Sequence, residues 1–355
     1  MEETLSYPRF ISFHRNQVNP EPHPKSTLTF AYGEQRFKEL QKSLSGKDDV
    51  LRTKILVEIN EDFHQADKIN VALDDNILQE LVKCFKEKDD VIRELASRAV
   101  LKVALTEKGR ETLIHLKTIS DIKTLFDDSE VQIRNNAYVS LINLADFRFG
   151  VDSAIDAGIL PILIDKLVLE KEESILILIL SLLKVLAEGE KAPSILLGTP
   201  ALARLNSHLA SKNANIRELA ALNIGSISFN VHGKERTIEA HSIEPLTRML
   251  FDKVSEVRTA ATRALASLAQ LKAGKVEIYD LEMLDRIIEL LYDTNEQTRL
   301  NIVQIISAVG EYPPAREKFK ECLDKLKDMN TKEKFHNPLV SRFAQTAIDV
   351  ITWKP

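Results

Sequence analysis

Residues 252–269 read DKVSEVRTAATRALASLA: an acid, a short gap, an arginine at position 258, then an alanine-rich apolar run. The same pattern occurs at 48–59 (DDVLRTKILVEI), 89–104 (DDVIRELASRAVLKVA) and 127–145 (DDSEVQIRNNAYVSLINLA). It returns at 213–228 (NANIRELAALNIGSIS) and 293–310 (DTNEQTRLNIVQIISAVG). The arginines, Arg52, Arg93, Arg134, Arg217, Arg258 and Arg299, are 41, 41, 83, 41 and 41 residues apart. The double interval holds one unmarked unit, at 173–189 (ESILILILSLLKVLAEG), and a weaker eighth unit lies at Arg342. Self-similarity at a fixed period of this length marks a stack of repeated helical units.

Apolar spacing defines what each arginine-headed helix buries. Three residues after the arginine stand Ile55, Ala96, Ala137, Ala220, Ala261 and Ile302. Seven after it stand Ile59, Val100, Leu141, Ile224, Leu265 and Ile306. Ten after it stand Val103, Leu144, Ile227, Leu268 and Val309, with Asp62 the exception. Steps of four and three make one stripe on a 3.6-residue helix. One unit cannot cover such a stripe, so units must stack. Gly109, Gly150, Gly233 and Gly274 each follow their arginine by 16 residues. Glycine past a helical run suggests a left-handed C-terminal stop, which predicts a helix of about 14 residues. A short segment and a middle helix precede each long one, with Pro161 and Pro245 near the start of the middle helix. Three helices per unit is the armadillo layout; two longer ones would be HEAT. The fold expected is all-α: an armadillo-type solenoid of seven to eight units. Asp49, Asp90, Asp128, Asp252 and Asp293 are expected to favour helix starts and to pair with repeat arginines.

Composition agrees. Only 11 glycines and 12 prolines occur in 355 residues, which favours helices over many-stranded sheets. A net charge of −5 speaks against a dedicated nucleic-acid binder, which needs a basic stripe. Cys84 and Cys322 stand far apart and form no disulfide framework, so a reducing, intracellular setting is expected. The acidic start MEETLSYPRF is unlike a secretory signal. The apolar run 175–183 is too short to span a bilayer. Residues 1–29, with three prolines in NPEPHPKS at 19–26, are expected to form an extended arm; residues 30–355 form the solenoid, with 323–355 a degenerate cap.

The sequence carries no catalytic motif. The eight histidines have no metal-ligand spacing among themselves or with the cysteines. No Gly-rich phosphate loop or Gly-x-Ser-x-Gly elbow is present. Cys84 falls on an apolar helix face and reads as a core thiol. Neither enzyme activity, cofactor, metal nor small-molecule substrate is expected. What remains is surface, since solenoids present extended concave faces. Opposite the buried stripe lie Arg98, Lys102, Asn135, Val139, Asn143, Leu222 and Arg263. The unmarked fourth unit adds either Leu176 and Leu180 or Ile177 and Val185, depending on register. These are the candidate partner-binding residues. The row has Asn at its ninth position only at Asn143, and the one tryptophan is Trp353. It therefore lacks the Trp/Asn ladder with which nuclear-import adaptors hold basic peptides.

Three stretches carry a more specific likeness. FAYGEQRFKELQKSLSGKDDVLRTKIL (30–56), SKNANIRELAALNIGSIS (211–228) and HGKERTIEAHSIEPLTRMLFDKVSEVRTAATRALASLA (232–269) resemble the radial spoke head protein 14 family of ciliary axonemes. The similarity covers roughly residues 30–310, and the Ala-Tyr-Gly at 31–33 is its most distinctive piece. The resemblance implies a non-enzymatic structural subunit of the radial spoke, in the axoneme of a motile cilium or flagellum, with other spoke proteins as partners. A soluble armadillo adaptor that reversibly grips extended peptides is the competing expectation.

Overall fold

The structure is a computed structural model that describes residues 36–332 and 337–354. The proposed arm (1–29) and the Ala-Tyr-Gly segment lie outside the described residues. Those residues are helical throughout, without strands. The long helices are Asp49–Asp62, Asp90–Ala104, Val131–Leu144, Glu173–Leu186, Ala214–Ile227, Ser255–Leu268 and Glu296–Val309, closed by Pro338–Thr352. Each repeat arginine is the fourth residue of its helix. In the third unit the first segment is Glu107–His115, and the second is Ile119–Ile122 continued by the 3-10 turn Lys123–Asp127. Successive long helices pack along one another, whereas the first helices meet only sparsely. Contacts between neighbouring units are thus densest along the row of long helices.

The stripe read from the sequence is the core. Ala96, Ala220, Ala261, Ile59, Ile224, Val103, Leu268 and Val309 are each 0% exposed. The exception, Asp62, is also buried, and it receives Arg36 Nε and Lys68 Nζ at 2.7 Å each. Small side chains at the third position let neighbouring helices approach, and the apolar residues above and below fill the seam.

The 16-residue glycines serve a different purpose from the one their position suggests. Gly109, Gly150, Gly233 and Gly274 lie inside the first helix of the next unit, and none has positive φ. A Cβ there would stand 2.1, 1.8, 1.9 and 2.2 Å from the carbonyl oxygens of Val103, Leu144, Ile227 and Leu268. The glycine lets one helix start directly against the end of the preceding long helix. At Gly109 and Gly233 the N–H is also a capping donor, to Thr106 Oγ1 at 3.1 Å and Asn230 Oδ1 at 2.7 Å respectively.

The left-handed residues form a separate row. Asn76, Lys117, Gly158, His241 and Glu282 have φ of 57, 58, 74, 54 and 57°, always at the turn between first and second helix. Four of the five carry a Cβ that this conformation disfavours by about 1–2 kcal/mol. Exposed Glu282 makes a clean test. Glu282→Gly is expected to stabilise the protein by about 0.5–1 kcal/mol, read as a higher thermal midpoint. A lower midpoint would mean that the turn is held by more than backbone preference.

Acids before five of the long helices close the seams. Arg93 Nε and Nη2 hold both oxygens of Asp128 at 2.7 and 3.1 Å. Its Nη1 donates to the Glu87 and Lys88 carbonyls at 2.9 and 2.8 Å. Arg134 and Glu170 (3.1 and 3.2 Å) and Arg217 and Asp252 (2.7 and 3.0 Å) repeat the clamp. Arg258 Nε meets Asp293 at 2.7 Å, and Arg52 Nη2 meets Glu87 at 2.8 Å. Each carboxylate belongs to the unit after its arginine. Asp128, Asp252 and Asp293 also accept the N–H two residues on, at 3.0, 2.9 and 2.8 Å. At the first two long helices the caps are Asp48 and Asp89, one residue before the aspartates expected to cap them.

Burial alone would raise the carboxyls of Asp128, Asp252, Asp293 and Glu170. The hydrogen bonds from arginine and backbone N–H, with the guanidinium charge, outweigh it and hold all four below their ordinary range. A depressed folded pKa contributes stability that is complete above the unfolded value and is lost as pH falls through the folded one. The ordinary values are 3.8 for Asp and 4.5 for Glu. Stability is therefore expected to be flat above about pH 5 and to fall steeply below about pH 4. Glu218 and Glu277, both raised by burial and by the neighbouring charges of Glu256 and Glu244 respectively, act in the opposite sense. Denaturation midpoints across pH 3–7 check this, and a midpoint that holds in acid would contradict it.

Candidate partner-binding surface

On each long helix the first, fifth and ninth residues after the arginine point away from the stripe, because steps of four keep them on one face of the helix. The structure places the sequence-predicted residues there as follows. Arg98 is exposed and paired with Glu94 at 2.7 Å, four residues earlier on the same helix. Lys102 is half-buried; its Nζ donates to the Asn60 carbonyl at 2.6 Å and meets His64 Nε2 at 3.2 Å. Burial, with the charge of Arg98 and against that of Glu61, lowers its pKa. Asn135, Val139 and Asn143 are half-buried, and Asn143 turns back to donate to the Val139 carbonyl at 2.8 Å. Leu222 is half-buried and Arg263 exposed.

Two candidates are corrected. Leu176 is 8% and Leu180 0% exposed, so neither is offered to a partner. Leu176 is the fourth residue of its helix and occupies the repeat-arginine position, which turns it and Leu180 into the seam. The alternative register holds: Ile177 and Val185, at the first and ninth positions, are the half-buried pair on the face turned away from the stripe. An aliphatic run gives no polar marker by which to fix its phase, which is why the sequence left both registers open.

Val139, Ile177, Val185 and Leu222 thus lie on three consecutive units without a formal charge among them. Asn135, Asn143, Ser181 and Ser226 fill the remaining positions of those units, with Glu218 the one acid. Arg98 and Lys102 stand on one side of this strip and Arg263 on the other. Such a surface can hold an extended or helical segment by apolar contact and amide hydrogen bonds.

A concavity elsewhere escaped the sequence reading. A groove of about 1230 Å³ opens on the side of the shorter helices, lined by Leu73, Leu78, Ile114, Ile119, Phe147 and Phe149. Phe149 is 71% exposed, and Phe147 lies under the Arg110 guanidinium at 4.6 Å. The DFRFG sequence at 146–150 was its only signal. Among the described residues no three His, Cys, Asp or Glu side chains converge as metal ligands. No helix among them is long and apolar enough to cross a membrane. Cys84 and Cys322 are both buried free thiols, and burial pushes Cys322 up to about 11.

Known proteins agree on the architecture. A HEAT-repeat family model matches residues 243–271, the second and long helices of one unit. An engineered protein solved by the Northeast Structural Genomics Consortium is similar with a TM-score of 0.66 at 16% identity, over 90% of this chain and 89% of that one. A designed armadillo repeat protein is similar with a TM-score of 0.60 at 22% identity, over 65% of this chain and 99% of that one. At such identities the likeness concerns the fold. Over its described residues the chain is an all-helical repeat solenoid of the armadillo/HEAT kind, an architecture typical of protein-binding scaffolds.

Proposed function

We propose that this chain is a non-enzymatic scaffold subunit of the radial spoke, built into the axoneme of motile cilia or flagella and binding neighbouring spoke proteins through its solenoid surface. The observation that carries the scaffold reading is the uncharged strip of Val139, Ile177, Val185 and Leu222 across three units, on the face turned away from the stripe. Half-buried aliphatic residues in a continuous row are what a partner segment covers. The spoke assignment is supported by the resemblance of residues 30–56, 211–228 and 232–269 to that family. The same strip would also serve a soluble adaptor that binds and releases an extended peptide, so the test must separate the two.

Axonemes purified from cells that make motile cilia should contain this chain in fixed proportion to known spoke subunits, released by salt together with them. Absence from that fraction would end the ciliary assignment and leave the fold untouched. Ile177→Asp with Val185→Asp, at half-buried positions on the rim of the core, should keep the helical content and abolish incorporation into the spoke, with a thermal midpoint measured alongside to separate lost binding from lost stability. Full incorporation of that variant would move the interface off this strip.

A further inference from the structure

The clamps between units are not uniform, and their one interruption inside the array is specific. Five arginines reach an acid 35 or 36 residues later: Arg52 to Glu87, Arg93 to Asp128, Arg134 to Glu170, Arg217 to Asp252 and Arg258 to Asp293. Between the fourth and fifth units both partners are replaced. Leu176 holds the arginine position, and Ser211, 35 residues on, holds the acid position. Ser211 keeps the acid's local task, its Oγ accepting the Asn213 N–H at 3.2 Å, but it carries no charge. A guanidinium bound to a carboxylate and to two loop carbonyls fixes the angle between neighbours through its planar geometry. The contact of a leucine side chain has no preferred direction.

Other features of this seam agree. The first helix of the fifth unit is only Ala192–Leu197, against nine residues in Glu107–His115, Arg148–Asp156, Val231–Glu239 and Lys272–Asp280. Its turn, Gly198-Thr199-Pro200, has no left-handed residue, whereas the turns on either side have Gly158 and His241. Two ion pairs across the seam, Arg148–Glu190 and Lys191–Asp156, have every side chain more than half exposed and contribute little. Arg204–Asp165 has its acid 66% exposed. The more buried ties are Asn223 Nδ2 to the Leu180 carbonyl at 3.0 Å and His208 Nε2 to the Leu167 carbonyl at 2.8 Å. These hold the helices at contact distance and leave their mutual angle to packing.

We infer that the solenoid is two clamped blocks joined by a hinge at the seam between Glu173–Leu186 and Ala214–Ile227. The hinge lies beneath the uncharged strip, so bending there changes the curvature of the surface formed by Val139, Ile177, Val185 and Leu222. A partner that spans it selects one curvature.

Spin-label pairs introduced at the exposed loop positions Lys88 and Lys171, and at Lys171 and Lys253, test this by pulsed electron-resonance distance distributions in the full chain. Each pair spans two units; only the second crosses the Leu176–Ser211 seam. The native thiols, 1% and 3% exposed, stay unlabelled. The 171/253 distribution should be roughly twice as wide as the 88/171 distribution. Leu176→Arg with Ser211→Asp should narrow it to the width of the other pair. Arg93→Leu with Asp128→Ser, which transplants the apolar seam, should widen the 88/171 pair. Equal widths in the two unaltered pairs would overturn the inference. If Leu176→Arg with Ser211→Asp fails to fold, the transplanted seam decides, and an unchanged 88/171 width then counts against the hinge.

Discussion

Gly150→Ala is expected to destabilise the protein by about 3 kcal/mol. The added methyl would stand 1.8 Å from the Leu144 carbonyl oxygen and 2.7 Å from its carbon. Both are backbone atoms, so no side-chain rotation relieves the clash. The first helix of the fourth unit must move off the end of the preceding long helix, opening the seam there. Gly225→Ala provides the contrast. Gly225 lies inside the helix Ala214–Ile227, and a Cβ there meets Ala264 at 3.8 Å, an ordinary contact. That substitution should stabilise by about 0.5–1 kcal/mol, because glycine inside a helix has more conformational freedom to lose than alanine. Urea denaturation of the two variants, with hydrogen exchange to localise the loss, separates the cases. A Gly150→Ala protein as stable as the parent would refute the close-approach reading.

Asp293→Ala comes next, with an expected loss of about 3 kcal/mol or more. The Asp293 side chain is 2% and that of Arg258 13% exposed. Removing the carboxylate leaves a largely desolvated guanidinium with its two carbonyl partners, Asp252 and Lys253 at 2.9 and 3.3 Å, and no carboxylate bonded to it. It also strips the acceptor from the Asn295 N–H. The protein contains its own remedy, since Leu176 and Ser211 already occupy the two clamp positions at another seam. Arg258→Leu with Asp293→Ser should therefore recover most of what Asp293→Ala loses. The cost of breaking a buried pair comes mainly from the charge left behind rather than from the attraction removed. A thermodynamic cycle over the single and double variants measures this. A double variant less stable than Asp293→Ala would show that the pair itself holds the seam.

Much of this could be anticipated, and where anticipation stopped there is a physical cause. Length, phase and buried face of the long helices followed from arginines on a 41-residue period with an apolar stripe behind each. The period was visible because every unit solves the same packing problem. The glycines mark the unit boundaries that their spacing suggests, but for a different physical reason. Both a left-handed stop and a close backbone approach favour a residue without a Cβ, and only the packing of the units tells which applies. The left-handed residues themselves went unseen, because Lys117, His241 and Glu282 have no side-chain signature for positive φ. Arg98, Val139, Leu222 and Arg263 were legible as a face because polar and apolar neighbours fixed their helical phase. Leu176 and Leu180 were not, because a helix that is aliphatic all round has no phase to read.

The amino-acid sequence alone determined that the chain is a repeat of helices that must stack, since a periodic apolar stripe is a local pattern that survives without any knowledge of distant contacts. Tertiary structure decided which acid each arginine grips, why a glycine precedes each new unit, and which aliphatic residues of the fourth helix stay open. Those outcomes depend on residues about 35 positions away brought within hydrogen-bonding reach, and a distance across a seam is set by how two units pack, not by the spelling of either.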